Sequence, residues 1–227
     1  MKQRLIFVLL LVISLSAIAG NPGKRTCVKL STTMGDIIVE LYNETPKHRD
    51  NFISLVKMGM YDSLLFHRTI HDFMIQAGDP QSKHAKPGEL LGESDLDYTI
   101  ESEFRVPQFF HKRGALAAAR EPDEDNPERR SSASQFYIVW GKTCTRGMLN
   151  KAQDILDKNT NGEVRITKEM EDVYQTQGGV PRLDGQYTVF GEVVQGLDVV
   201  ERIQAVKTDN NDRPLVDVRI IKAVVEK

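Results

Sequence analysis

The order of apolar and polar positions along this chain changes period several times, and each change marks a predicted element. Cys27 to Leu30 and Asp36 to Leu41 are β-rich runs separated by Thr33-Met34-Gly35, the signature of a hairpin in which Gly35 takes the turn's positive φ. Thr45-Pro46 reads as a helix start, an N-cap followed by proline at the first helical position. Phe52, Leu55, Val56 and Gly59 recur at helical spacing, so this helix covers an apolar surface. After Tyr61-Asp62 comes F-H-R-T-I-H-D-F-M-I-Q-A-G-D, residues 66 to 79. Its β-branched and aromatic residues on both sides of His71-Asp72 predict two strands and a turn.

Residues 80 to 97, rich in Gly, Pro, Ser and charge, read as a long surface loop, and Tyr98 to Phe104 as a short strand. Gly114 to Ala119 is a run of small apolar residues, a buried strand whose backbone passes close to something. R-E-P-D-E-D-N-P-E-R-R-S-S, residues 120 to 132, is a charged loop, and Phe136 to Trp140 a strand. Between 145 and 180 the pattern turns helical. Met148, Ala152, Ile155 and Leu156 form one amphipathic stripe, and Ile166, Met170 and Val173 a second, beyond the breaker Asn159-Thr160-Asn161-Gly162. Gly178-Gly179 and Pro181 return the chain to a strand (Tyr187 to Val194), a helix (Leu197 to Val206) and a closing strand (Val216 to Val225). Many short strands with turn signals and two flanking helices indicate an all-β barrel or sandwich with helical caps.

Composition changes this picture little. The 227 residues suffice for one domain with a full core or two small ones, and 40% hydrophobic with 27% charged residues is the balance of a soluble globular protein. The net charge of -2 argues against nucleic acid as the main partner. The N-terminus changes the picture more. Lys2 and Arg4 precede Leu5 to Leu15, an almost unbroken apolar run, and Ala17-Ile18-Ala19 places small residues as a signal peptidase prefers. Residues 1–19 therefore read as a secretory signal peptide, with Gly20 opening the mature chain. The alternative, an uncleaved anchor, asks for a run nearer the about 20 residues that span a bilayer, and no cysteine follows the run to carry a lipid. This predicts an exported chain, periplasmic or secreted, with no stable membrane insertion after cleavage. Residues 20–26, with Pro22 and Gly23, read as a flexible lead, and 27–227 as one domain. Cys27 and Cys144 admit one disulfide in such a compartment; two separate, partly buried thiols are the other reading.

The chemistry concentrates in the 66 to 79 hairpin. With a three-residue loop, His71 to Phe73, Arg68 faces Gln76 and Ile70 faces Met74, so Arg68, Met74 and Gln76 share one face. A two-residue loop would send Gln76 to the other face. The first register sets a fixed cation and an amide against an apolar wall, which suits a mostly apolar substrate with one amide to be handled. His67 and His71, four apart, have a metal-binding spacing for a helix but not for strands. Ser131, Ser132 and Ser134 with His111 suggest a nucleophile and its base, yet no G-x-S-x-G elbow is present.

The hairpin, with A-S-Q-F-Y-I-V at 133 to 139 and L-D-G-Q-Y-T-V-F-G-E-V at 183 to 193, resembles the active-site motifs of cyclophilins, the peptidyl-prolyl cis/trans isomerases. The resemblance covers residues 27 to 144 and 181 to 226. It implies a mainly β fold, an eight-stranded antiparallel barrel capped by two helices. Residues 145–180 are then a helical insertion that compact cyclophilins lack, to be read as a lid, a surface for a protein partner or passive decoration. It further implies isomerisation of X-Pro bonds in proline-containing polypeptides, here exported ones, without a metal or other cofactor. A proline-segment-binding chaperone or assembly module with little turnover is the competing reading, against which the retained Arg68 argues. By the resemblance Arg68 is the catalytic arginine, and Gln76 holds that arginine and the substrate backbone. Phe73, Met74, Phe136, Tyr137 and Leu183 match the proline pocket. Ala119 and Arg120 match the edge that pairs with substrate backbone, with Gln135 beside them. Tyr187 stands at the family's substrate-edge histidine, which alters preference. Arg182 stands where a tryptophan often precedes L-D-G, which weighs against tight cyclosporin binding. His71-Asp72 replaces a Pro-Gly turn, and the loop at 120 to 132 is longer than in compact members.

Overall fold

The computed structural model describes residues 23–226; the leader predicted at 1–19 lies outside them. Ten strands run in chain order as β1 (Cys27–Thr32), β2 (Gly35–Leu41), β3 (Arg68–Ile70), β4 (Met74–Ala77), β5 (Thr99–Ile100), β6 (Ala115–Ala118), β7 (Ser131–Ser132), β8 (Phe136–Val139), β9 (Val189–Gln195) and β10 (Ile220–Val225). The helices are α1 (Pro46–Lys57), α2 (Arg146–Asn159), α3 (Lys168–Thr176) and α4 (Leu197–Gln204), with short 3-10 turns at Pro80–His84 and Pro181–Leu183. Eight strands form one antiparallel sheet in the order β10-β1-β2-β9-β6-β8-β4-β3. The sheet curls until its edges meet. Leu65 bridges Arg219, the Phe66 N–H donates to Val218 C=O at 2.8 Å and the Ile220 N–H to Leu64 C=O at 2.8 Å. β5 and β7 make a separate two-stranded ribbon, so the strand expected from Tyr98 to Phe104 shrinks to two residues, and the charged loop contains a strand of its own.

Alternation explains which face goes inside. Val28, Leu30, Ile37, Val39 and Leu41 point into the barrel with Phe52 and Leu55 of α1 and with Val200 and Ile203 of α4. β6 (A-L-A-A) and β8 (F-Y-I-V) are buried at every position, because a second apolar cluster covers their outer face: Met74, Ala117, Tyr137, Val139, Leu183 and Val189 with Phe73 and Tyr187 packed on it.

Two expectations need correction. Thr45 begins α1 ahead of Pro46, but its hydroxyl turns back to Tyr42 C=O at 3.3 Å and caps nothing in the helix. The first-turn donors are satisfied from far away: Glu103 accepts the N–H of Lys47 at 3.2 Å and of His48 at 3.0 Å. Burial alone would raise the Glu103 carboxyl, but the His48 ring and these N–H groups outweigh it and hold it below the usual range. The α2 stripe is also rotated from its predicted position. Leu149, Ala152 and Leu156 face inward, while Met148 and Ile155 are 42% and 41% exposed.

The insertion has its own small core, Cys144, Leu149, Met170 and Tyr174. Thr145 and Thr167 cap its helices, each accepting an N–H at 3.3 Å. At its base two backbones nearly touch: a Cβ on Gly141 would lie 2.3 Å from the Gly179 carbonyl oxygen, so only glycine fits there. The cysteines are free, Cys27 half-buried in β1 and Cys144 buried in the insertion core. In the lead, Arg25 pairs with Glu40 at 3.0 Å and lies over the Tyr42 ring at 4.6 Å.

Candidate active site

The hairpin loop has three residues, and the ladder pairs Arg68 with Gln76, Thr69 with Ile75 and Ile70 with Met74. Asp72 takes the left-handed turn at φ 59, a conformation short polar side chains tolerate best after glycine. Its N–H donates to Gln204 Oε1 at 2.8 Å, and Lys142 Nζ sits 3.1 Å from its carboxylate. β8 lies beside β4 with Gln76 opposite Tyr137 and Ala77 opposite Phe136. A period of two therefore sends Tyr137 to the face that carries Arg68, Met74 and Gln76, and Phe136 to the other.

On that face lies a cavity of about 160 Å³ lined by Arg68, Phe73, Met74, Gln76, Ala119, Arg120, Tyr137 and Tyr187. Leu183 lies beneath it in the same apolar cluster, 7% exposed, and Gln135 borders it through Gln76. Phe136 does not belong to this pocket. It sits inside the barrel, edge-on to Phe52 and Tyr61 at 5.3 and 5.4 Å.

Gln76 was expected to hold Arg68; the structure gives that task to Asp212. Arg68 Nε lies 3.4 Å from Asp212 Oδ2, and the Thr69 N–H donates to Asp212 C=O at 2.8 Å, which fixes the 209–213 turn against β3. The terminal guanidinium nitrogens make no hydrogen bond among the described residues. Gln76 Nε2 instead donates to Gln135 Oε1 at 2.9 Å. Gln135 spends its own amide hydrogens on Gly92 C=O and Ser94 C=O, at 2.9 and 2.8 Å. Its oxygen must therefore face Gln76, and Gln76 keeps a carbonyl oxygen for another donor.

The edge is also redistributed. Ala119 has its N–H on Gln135 C=O at 3.0 Å and its C=O on the Ser132 N–H at 2.8 Å. Arg120 has neither backbone group engaged among the described residues, so of the two expected edge residues only Arg120 keeps its backbone open to another chain. Its guanidinium is spent elsewhere: Nε donates to Gln186 C=O at 2.8 Å, a terminal nitrogen meets Asp123 at 2.6 Å, and the group lies over the Tyr187 ring at 4.6 Å.

A buried relay ties the pocket wall to the insertion. The Tyr174 hydroxyl donates to Asp184 Oδ2 at 2.6 Å, His111 Nδ1 meets Asp184 Oδ1 at 2.8 Å, and His111 Nε2 meets the Tyr137 hydroxyl at 3.0 Å. The carboxylate requires a proton on Nδ1, so in the neutral ring Nε2 accepts from Tyr137. Burial pushes both tyrosine hydroxyls well above their ordinary range, so they remain donors.

The serines and histidines weighed as alternative chemistry have other partners. Ser131 pairs with His48, not His111: Oγ lies 2.9 Å from Nε2, and Nδ1 lies 2.7 Å from Glu103. That triad-like chain is sealed, with Ser131 and His48 each 2% exposed, and serves the start of α1. His67 is buried with neither ring nitrogen hydrogen-bonded among the described residues, and its pKa falls to about 4, chiefly through burial. The His71 side chain is 66% exposed, so the two histidines do not converge. Sequence reasoning missed Asp212 and Tyr174. N-N-D-R-P at 210–214 announces a turn, but nothing in it names a partner more than a hundred residues away.

The model of the cyclophilin type peptidyl-prolyl cis-trans isomerase family matches residues 27–225. A Staphylococcus aureus relative is 35% identical over 201 residues, 88% of this chain and 91% of its own. The peptidyl-prolyl cis-trans isomerase cypE of Dictyostelium discoideum is 35% identical over 197 residues, 86% of this chain and 95% of its own. A cyclophilin type isomerase of Cryptosporidium parvum has a similar fold, with a TM-score of 0.64 at 22% identity over 90% of this chain and 99% of its own. A curled eight-stranded sheet with an arginine-bearing hairpin, a family match over the whole barrel and relatives aligned nearly end to end lead to one conclusion: the chain belongs to the cyclophilin-type peptidyl-prolyl cis-trans isomerases.

Proposed function

We propose that this isomerase turns the X-Pro bond with Arg68 as its catalytic residue. Amide resonance sets a barrier of about 18–20 kcal/mol. Midway through rotation the C–N bond is twisted and the prolyl nitrogen regains a lone pair. A donor aimed at that nitrogen binds the twisted state and finds nothing comparable in the planar one, so it lowers the barrier by differential binding. Guanidinium suits the task because it is always charged and presents a rigid fork of donors. Phe73, Met74, Tyr137 and Tyr187 receive the proline ring, with Leu183 behind them. The Gln76 carbonyl accepts from substrate N–H, and the Arg120 backbone pairs with the substrate chain.

The observation that carries this reading is the state of Arg68: Nε beside Asp212, both terminal nitrogens unspent among the described residues, at the rim of an apolar-walled cavity. Proline-containing polypeptides are the substrates. A structure of the Cryptosporidium parvum relative in the presence of the dipeptide Ala-Pro supports that class. The leader at 1–19 supports exported clients and a periplasmic or secreted location. A protease-coupled assay on X-Pro peptides tests the chemistry. The wild type accelerates isomerisation, and Arg68→Ala loses about 100-fold, the scale of one deleted transition-state donor; an unchanged rate would refute the role. The mature protein's N-terminal mass tests export, with Gly20 first.

A further inference from the structure

Phe73 borders two cavities. One is the proline pocket. The other is a groove of about 370 Å³ between the hairpin loop and α2, near the lower end of the about 300–1,000 Å³ typical of ligand pockets. The groove's far wall is the outer side of α2, where Met148 and Ile155 stand seven residues apart. An ordinary surface helix carries one apolar stripe turned to its core. Here Leu149 and Leu156, 2% and 0% exposed, form that stripe, and Met148 with Ile155 form a second, uncovered one.

The rim is basic. Lys142, Lys151 and Arg182 line it, and Asp72 is the one carboxylate among the lining residues. Asp72 is already paired with Lys142, whereas Lys151 and Arg182 have no carboxylate within reach among the described residues. Arg182 reaches the wall that the two cavities share, lying over the Phe73 ring at 4.9 Å.

We infer that this groove is a second substrate subsite, which takes an apolar side chain next to a carboxylate in the polypeptide flanking the proline. The inference rests on the isomerase reading above. Three observations favour substrate chain as the occupant: the groove adjoins the proline pocket across the shared wall residue Phe73, its wall is apolar, and its rim carries unneutralised cations. An extended chain advances about 3.3 Å per residue, so a residue within about two or three positions of the proline reaches it. Methionine in the wall lets one site accept leucine, methionine or phenylalanine. The helical insertion thus adds recognition beside a catalytic face that the barrel supplies.

The test uses the mature full-length protein and exchange NMR on Ala-Pro peptides carrying Leu-Glu, Leu-Lys or Gly-Ser on either flank. The wild type favours Leu-Glu over Gly-Ser on one flank by about five- to tenfold in kcat/KM, the scale of partly burying one side chain. In Met148→Ser/Ile155→Ser this preference disappears while the Gly-Ser rate persists. Lys151→Glu shifts preference from Leu-Glu toward Leu-Lys. Equal acceleration of all peptides by the wild type overturns the subsite and leaves the isomerase reading intact, whereas no acceleration of any peptide overturns both. Equal loss on every peptide in the double variant overturns the subsite by reducing it to a structural role. A wild-type dimer in sedimentation equilibrium that the double variant dissolves also overturns it, because the groove would then be a contact between copies.

Discussion

The two walls that meet at Phe73 are built by different means. On the barrel side, consecutive ladder pairs set Arg68 against Gln76 and Gln76 against Tyr137, so each side chain is placed by its neighbours on both strands. On the insertion side, α2 and α3 hold through two threonine caps, a small core, the buried Asp184–Tyr174 bond, the Asn159–Gln186 bond and backbone bridges at Gly179. The reacting geometry sits where the backbone is over-determined. The inferred recognition surface sits on the outer side of helices held at their base, where side chains change without disturbing the ladder.

That contrast can be broken by mutation. The largest effect falls in the barrel: Phe136→Ala empties the aromatic centre shared with Phe52 and Tyr61 and lowers global stability by about 3–5 kcal/mol, read by denaturant unfolding. Acid separates the regions next. Unfolded His67 takes up its proton through about pH 6.5, whereas the folded residue waits until about 4. The protonated form is favoured in the unfolded chain, so stability is full above about 6.5 and falls by roughly 3 kcal/mol as pH drops to 4. His67→Phe flattens that slope. The insertion's ion pairs, such as Lys168 with Asp172, are exposed and contribute little.

A smaller and local effect is expected from Met170→Ala. It costs about 2 kcal/mol and appears as faster amide exchange in 146–176 while the barrel amides stay protected. If barrel and insertion lose protection together, they form one cooperative unit and the contrast fails. The smallest effect is catalytic. Asp212→Asn leaves Arg68 charged but loosely aimed, and kcat falls about fivefold, near 1 kcal/mol, with KM and stability unchanged.

Much of this was legible in the sequence. The period-two strands, the presence of the 66–79 hairpin and the helices at 145–180 follow from local patterns. The shared face of Arg68, Met74 and Gln76 required a three-residue loop, which the sequence left open against a two-residue one and the ladder settles. What escaped was non-local. Glu103 caps α1 in place of Thr45, and Asp212 meets Arg68 in place of Gln76, because a carboxylate's partner across the fold leaves no trace in its own neighbourhood. Phe136 went astray for a different reason: in the all-apolar run F-Y-I-V periodicity cannot tell the two faces apart, and only the register with β4 sends Phe136 inward and Tyr137 to the pocket.

The most direct test is exchange NMR on an Ala-Pro peptide at saturating enzyme, comparing wild type with Arg68→Lys, which keeps the charge and removes the fork. The account predicts that the bound peptide still docks with unchanged Kd while its cis/trans exchange slows by about tenfold or more, up to the about 100-fold loss of Arg68→Ala. Exchange as fast as in the wild type would show that the pocket isomerises proline without the guanidinium, and would contradict the role assigned to Arg68.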